Sequence, residues 1–85
     1  MGLELVEMVI RVEEEFEISI PDEEASKFET PGQLINYLLN RPEVSEKWSR
    51  DYVHLSVWMI IEDELWIKKE DFNDDSRFIE DMGAG

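Results

Sequence analysis

Residues 3–39 read LELVEMVIRVEEEFEISIPDEEASKFETPGQLINYLL, and the spacing inside this stretch decides the fold. Leu5, Val9, Val12 and Phe16 fall at i, i+4, i+7 and i+11, Leu3, Val6 and Ile10 form a second row beside them, and Glu4, Glu7, Arg11 and Glu14 are left for solvent. A broad apolar stripe on a 3.6-residue period marks an amphipathic helix with one buried face. Pro21 ends the extended Ile18-Ser19-Ile20 piece, and Asp22-Glu23-Glu24-Ala25 then puts carboxylates in the first turn of a short helix, where the positive end of the backbone dipole favours them. Thr30-Pro31-Gly32-Gln33 is a capping box with proline at the first helical position. It predicts a third helix burying Leu34, Ile35, Leu38 and Leu39.

Outward from this stretch the signals weaken and then return. Residues 40–47, with Pro42 and mixed charge, have no periodicity and read as a connection. Ser49 can cap a long helix from about residue 50 to 65. Residues 68–85 offer few apolar anchors (Phe72, Phe78, Ile79, Met82), an acidic loop at Asn73-Asp74-Asp75-Ser76, and a Gly83-Ala84-Gly85 end. The expectation is an all-α domain over residues 1–85, a small four-helix bundle with one short helix.

Composition narrows the function. The 85 residues hold 8 Lys+Arg against 22 Asp+Glu, a formal net charge of -14, yet 42% are hydrophobic and lie at helical spacing, so a packed domain is favoured over an acidic disordered tail. Nucleic acid and anionic membranes need clustered Lys and Arg, so both are poor partners. Without cysteine there is no disulfide, thiolate zinc site or cysteine nucleophile. No apolar run approaches the roughly 20 residues of a membrane span and no export signal is evident. The expected setting is soluble, cytoplasmic or recombinant.

Two segments together resemble the acyl carrier protein family. Residues 57–85, VWMIIEDELWIKKEDFNDDSRFIEDMGAG, are similar to the family's first helix, long loop and approach to its prosthetic-group site, usually F-x-E-D-L-G-A-D and here Phe78-Ile79-Glu80-Asp81-Met82-Gly83-Ala84-Gly85. Residues 3–39 are similar to everything after that site, with Glu13-Glu14-Glu15-Phe16 and Ile20-Pro21-Asp22-Glu23-Glu24-Ala25 at family spacing. The halves are in the opposite order. The resemblance therefore implies a circularly permuted bundle, helix order 2-3-4-1, in which residues 1–40 match family helices 2–4, residues 41–51 are the permutation linker, and residues 52–85 match family helix 1 and the following loop. Other origins are a carrier-like protein without its serine, or a fragment of a tandem array; an engineered, silenced scaffold accounts for more of the observations.

The resemblance also locates the cut. The family attaches phosphopantetheine to the serine of an Asp-Ser-Leu triplet at a helix N-terminus. Counting back from Phe16 places that serine at Gly2, and counting forward from Phe78 places the aspartate at Gly85; only Leu3 remains. Glycine has no hydroxyl, so phosphopantetheine is not expected, and the resemblance in fold need not carry its function.

The helix over 50–65 has an apolar face too many. Val53, Val57, Ile60, Ile61 and Leu65 form one stripe; Tyr52, Leu55 and Met59 lie near the opposite side, with Trp66 if the helix continues and Trp58 on the flank. Trp58 and Met59 stand where the family is usually polar, and Trp66 where it usually ends the helix with glycine. Exposed aromatic and methionine side chains on a rigid helix are enriched at interfaces. The expectation is a non-catalytic protein-binding scaffold presenting Tyr52, Leu55, Trp58, Met59, Glu62 and Trp66 to a protein partner. Alternatives are cover by the connection and Trp48, a designed homodimer joined through the same face, or a carrier-type protein recognised by fatty-acid or polyketide enzymes through Glu4, Glu7, Glu13 and Glu14. No catalytic residue or metal site is expected. His54 is the only histidine, the acidic loop lacks a calcium-loop pattern, and Ser56 and His54 are two apart on a helix and do not face each other.

Overall fold

The computed structural model describes residues 3–82, and the attachment position expected at Gly2, like Gly83, Ala84 and Gly85, lies outside them. Five α-helices follow in chain order: α1 (Leu3–Phe16), α2 (Asp22–Ala25), α3 (Pro31–Leu39), α4 (Pro42–Ser45) and α5 (Arg50–Leu65), then a single 3-10 turn at Lys69–Asp71. The expected all-α class holds, with one more helix than the sequence suggested. α5 packs against α1 and α3, and α3 against α4. Among the described residues no helix is long and apolar enough to cross a membrane.

α1 buries Leu5, Met8, Val9, Val12 and Phe16, and Met8 takes the place expected for the second row. Val6 and Ile10 lie at the edge of the stripe and are exposed, a correction to the broader buried face. The helix ends on Glu17 with φ 55°, in the left-handed region. The Ile18 N–H then donates to the Glu13 carbonyl at 3.1 Å, the six-to-one bond of a Schellman turn. The Glu13 carboxylate accepts the Ile20 N–H at 2.7 Å, so the chain reverses into α2 with its backbone satisfied.

The capping signals are realised almost as read. Thr30 Oγ1 accepts the Gln33 N–H at 3.2 Å, while Gln33 Oε1 reaches one residue further back, to the Glu29 N–H at 2.6 Å. Ser49 Oγ accepts the Tyr52 N–H at 3.1 Å and starts α5. α3 buries Leu34, Ile35 and Leu38, but Leu39 is only half-buried.

The segment read as an aperiodic connection contains α4. Pro42 stands at its first turn after Arg41, and Val44 is fully buried, anchoring four residues that are too few to show a period. Arg41 ties this turn to its neighbours. Its guanidinium donates to Glu43 at 2.7 Å, to the Tyr37 hydroxyl at 2.8 Å and to the Ser19 carbonyl at 3.2 Å. The Glu43 pairing holds the Arg41 pKa above its ordinary value and the Glu43 pKa below its own. Of the four C-terminal anchors, Phe72, Phe78 and Met82 are buried; Ile79 points to solvent and does not join the core.

Candidate binding surfaces

The core stripe of α5 is Val53, Val57, Ile60 and Ile61, all buried, with Leu65 half-buried at the helix end. The six residues expected on the outward face divide into two groups. Leu55, Met59 and Trp66 are 60%, 64% and 93% exposed; Glu62, half-buried, shares the row of Leu55 and Met59 at i+7 from Leu55, and Trp66 lies just past the helix end. Tyr52 and Trp58 are engaged within the domain.

Tyr52 stacks on Trp48, ring centroids 6.4 Å apart and nearly parallel, and both meet the edge of Phe16. Its hydroxyl donates to the Glu15 carboxylate, which holds the tyrosine proton and pushes the pKa up; a weaker bond with Ser56 opposes this. Trp48, which follows α4, thus covers the first turn of the outward face. The alternative of intramolecular cover is realised there and stops at Tyr52.

Trp58 turns the other way, toward the chain after the helix. Its indole N–H donates to Asp74 Oδ1 at 2.7 Å, and its ring lies 4.8 Å from Phe72 and 4.9 Å from His54. His54 Nε2 lies 3.0 Å from the same carboxylate. The Asp74 backbone carbonyl accepts the Gly32 N–H at 2.8 Å, and a Cβ on Gly32 would stand 2.9 Å from that oxygen. Asp74 therefore pins the acidic loop to α5 through its side chain and to α3 through its backbone, and only glycine permits so close an approach. His54 and Trp58, i and i+4 on one flank, do hint at a shared partner; nothing in the sequence singles out Asp74 among its acidic neighbours.

Trp66 closes α5 in the left-handed conformation, φ 55° and ψ 41°, the position read from the resemblance. Nothing is gained there in packing, because the ring is almost wholly exposed. Backbone strain of about 1 kcal/mol is left uncompensated within the domain.

A second surface lies along α1. Glu4, Glu7 and Glu14 are exposed, and Val6 and Ile10 lie between them. Glu13 is half-buried and spent on the Ile20 N–H. At the N-terminal end of α1 a cavity of about 230 Å³ opens between Leu5, Phe28 and Phe78, with Ser26, Arg77 and Ile79 at its walls. The Phe78 N–H donates to the Glu29 carbonyl, just before α3, at 2.9 Å, and Phe78 shares the cavity lining with Leu5 of α1.

Phosphopantetheine needs a hydroxyl at a helix N-terminus. The hydroxyls at helix N-termini among the described residues, Thr30 on α3 and Ser49 on α5, serve as caps, accepting the N–H groups of Gln33 and Tyr52; neither is at the attachment position that the resemblance gives. That position is Gly2, which has no hydroxyl. Ser26 at the cavity wall sits after the short α2 and donates its hydroxyl to the Glu23 carbonyl at 3.0 Å. Among the described residues no cluster of three or more His, Asp and Glu is placed to hold a metal ion.

No family model matches the chain, and no solved structure does. Among curated proteins, the acyl carrier protein of Clostridium acetobutylicum is 47% identical over 37 residues, a match covering 44% of this chain and 48% of that protein. The chain thus spans about half the length of the relative it matches. Over those 37 residues, within an all-helical fold, it is similar to an acyl carrier protein.

Proposed function

We propose that the chain is a non-catalytic protein-docking domain of the acyl-carrier type, in permuted order and carrying no phosphopantetheine. One observation supports docking above the rest: Leu55 and Met59 stand bare one turn apart on a rigid helix, and Trp66, the left-handed residue just past its end, is bare as well and strains the backbone without any packing in return. The similarity to an acyl carrier protein supports the fold type, and the glycine at the counted attachment position supports the unloaded state. The reading is the same for an engineered scaffold and for a natural one, because it rests on residues and not on origin.

The unloaded state is tested by incubating the protein with a phosphopantetheinyl transferase and coenzyme A and measuring the intact mass. An unchanged mass is expected. A gain of one phosphopantetheine group overturns it.

A second reading has its own observation. α1 exposes Glu4, Glu7 and Glu14 around Val6 and Ile10, a surface suited to basic enzymes that act on acyl chains. On this reading the protein binds such a transferase without being modified, and Glu4→Lys, Glu7→Lys and Glu14→Lys together weaken binding at low salt. Equal binding by the charge-reversed protein rules the surface out.

A further inference from the structure

We infer that the bare row on α5 receives a cationic amphipathic helix of about three turns. The inference rests on the docking reading above and adds the chemistry of the partner. From Leu55 to the end of α5 at Leu65, with Trp66 just beyond it, the helix covers about 15 Å at 1.5 Å per residue, which matches about three turns of a partner helix lying along it. Leu55, Met59 and Trp66 supply the apolar anchors, 60%, 64% and 93% exposed. Cover from within the domain stops short of them: Trp48 reaches only Tyr52, and Asp74 draws Trp58 to the opposite flank.

Charge decides between possible occupants. Glu62 sits within the row, exposed Asp51 and Asp63 flank it, and exposed Glu15 is held at its first turn by the Tyr52 hydroxyl. Arg11 partly neutralises one edge through Asp63 at 3.3 Å and Glu64 at 3.2 Å, Arg50 lies at the start of the helix, and exposed Lys68 and Lys69 follow Trp66 in the chain; along Leu55 to Glu62 the border remains acidic. A second copy would bring the same carboxylates to this border and another net charge of -14. Like charges facing across an interface oppose association, whereas lysine or arginine flanking an apolar stripe would meet Glu15, Asp51, Glu62 and Asp63.

The test uses the whole protein and three labelled probe peptides: a helical repeat of leucine and lysine with leucines at i, i+3, i+4 and i+7, the same pattern with glutamate for lysine, and the leucine–lysine composition scrambled to destroy the apolar stripe. Affinity is read by fluorescence anisotropy for the wild type, for Leu55→Ser with Met59→Ser and Trp66→Ser, for Met59→Ser alone, and for the α1 triple Glu→Lys variant. The expected result is binding of the patterned cationic peptide, weakened at least tenfold by the α5 triple substitution and at least threefold by Met59→Ser alone. The α1 variant should stay within threefold at high salt. All substituted α5 side chains are exposed, so helix content and melting should persist; if the triple variant does not fold, Met59→Ser carries the comparison. Equal binding of the scrambled peptide, equal binding by the α5 variants, or tighter binding of the anionic peptide overturns the inference. So does a wild-type dimer in sedimentation that the α5 substitutions convert to monomer. Failure of the unloaded state would appear in the transferase experiment instead, as a mass gain with peptide binding unaffected.

Discussion

Among the described residues other than glycine, Glu17 and Trp66 hold a left-handed backbone that favours glycine, and they do so in different company. Glu17 closes a Schellman turn and lies 3.8 Å from Lys47, a pair exposed enough to contribute little. Trp66 has neither compensation. Trp66→Gly should therefore raise stability by about 1 kcal/mol in urea denaturation, while abolishing one of the outward anchors. Unchanged or lower stability would mean that the ring packs in solution. The left-handed Trp66 was legible because the resemblance puts glycine there; the left-handed Glu17 was not, since nothing in Glu-Glu-Phe-Glu-Ile marks a turn until the Ile18 N–H is seen to reach Glu13.

Tyr52 supplies the pH dependence at this scale. Its hydrogen bond to Glu15 favours the protonated phenol, so its folded pKa lies above the ordinary value of about 10. The sign follows directly: the contribution is complete below the unfolded pKa and is lost as pH rises through the folded one. In a Tyr37→Phe background, ultraviolet titration of the remaining tyrosine should give a midpoint above 10 that falls on Glu15→Gln. A midpoint unmoved by that substitution would remove the Glu15 bond from the account.

At the scale of elements, helices with long apolar periods were readable and short or borrowed ones were not. α1, α3 and α5 announce themselves by stripes and caps. α4 has a single buried side chain, Val44, and one residue has no period; its existence depends on the space left between α3 and the start of α5. Val44→Ala should cost about 2 kcal/mol, measured by chemical denaturation. On the outward face of α5 the contacts of two side chains are hidden for a related reason. Helical spacing places Tyr52 and Trp58 outside the core stripe correctly, but the partners that engage them, Trp48 and Asp74, are 4 and 16 residues away in sequence and come from segments without a pattern of their own.

The acidic loop depends on one close approach. Gly32→Ala would place a methyl group against the Asp74 carbonyl, where a Cβ stands at 2.9 Å. The loop must shift, loosening the Gly32 and Trp58 bonds together. The expected loss is about 1–3 kcal/mol, with a change in tryptophan emission as the Trp58 N–H leaves Asp74. A melting curve and emission spectrum identical to wild type would show that the loop is not held there.

For the whole molecule, the acidity and the apolar excess have separate meanings. Much of the -14 charge lies on α1 and α2, and again around the α5 row. The tryptophans divide as well: Trp48 and Trp58 pack within the domain, and Trp66 does not. What organises the molecule is the meeting of its two halves, where Phe78 bonds to Glu29 and lines a cavity with Leu5. On the permuted reading, that meeting is where the attachment site was divided.

The proposed permutation is tested by exchanging the two segments. A chain joining residues 49–85 to residues 2–48, with Gly85→Asp and Gly2→Ser, is incubated with a phosphopantetheinyl transferase and coenzyme A beside the protein as it stands, and both intact masses are recorded. The reordered chain is expected to fold with the same helix content and to gain one phosphopantetheine group, while the present chain gains none. A folded but unmodified reordered chain, or modification of the present one, would overturn the permuted, unloaded reading.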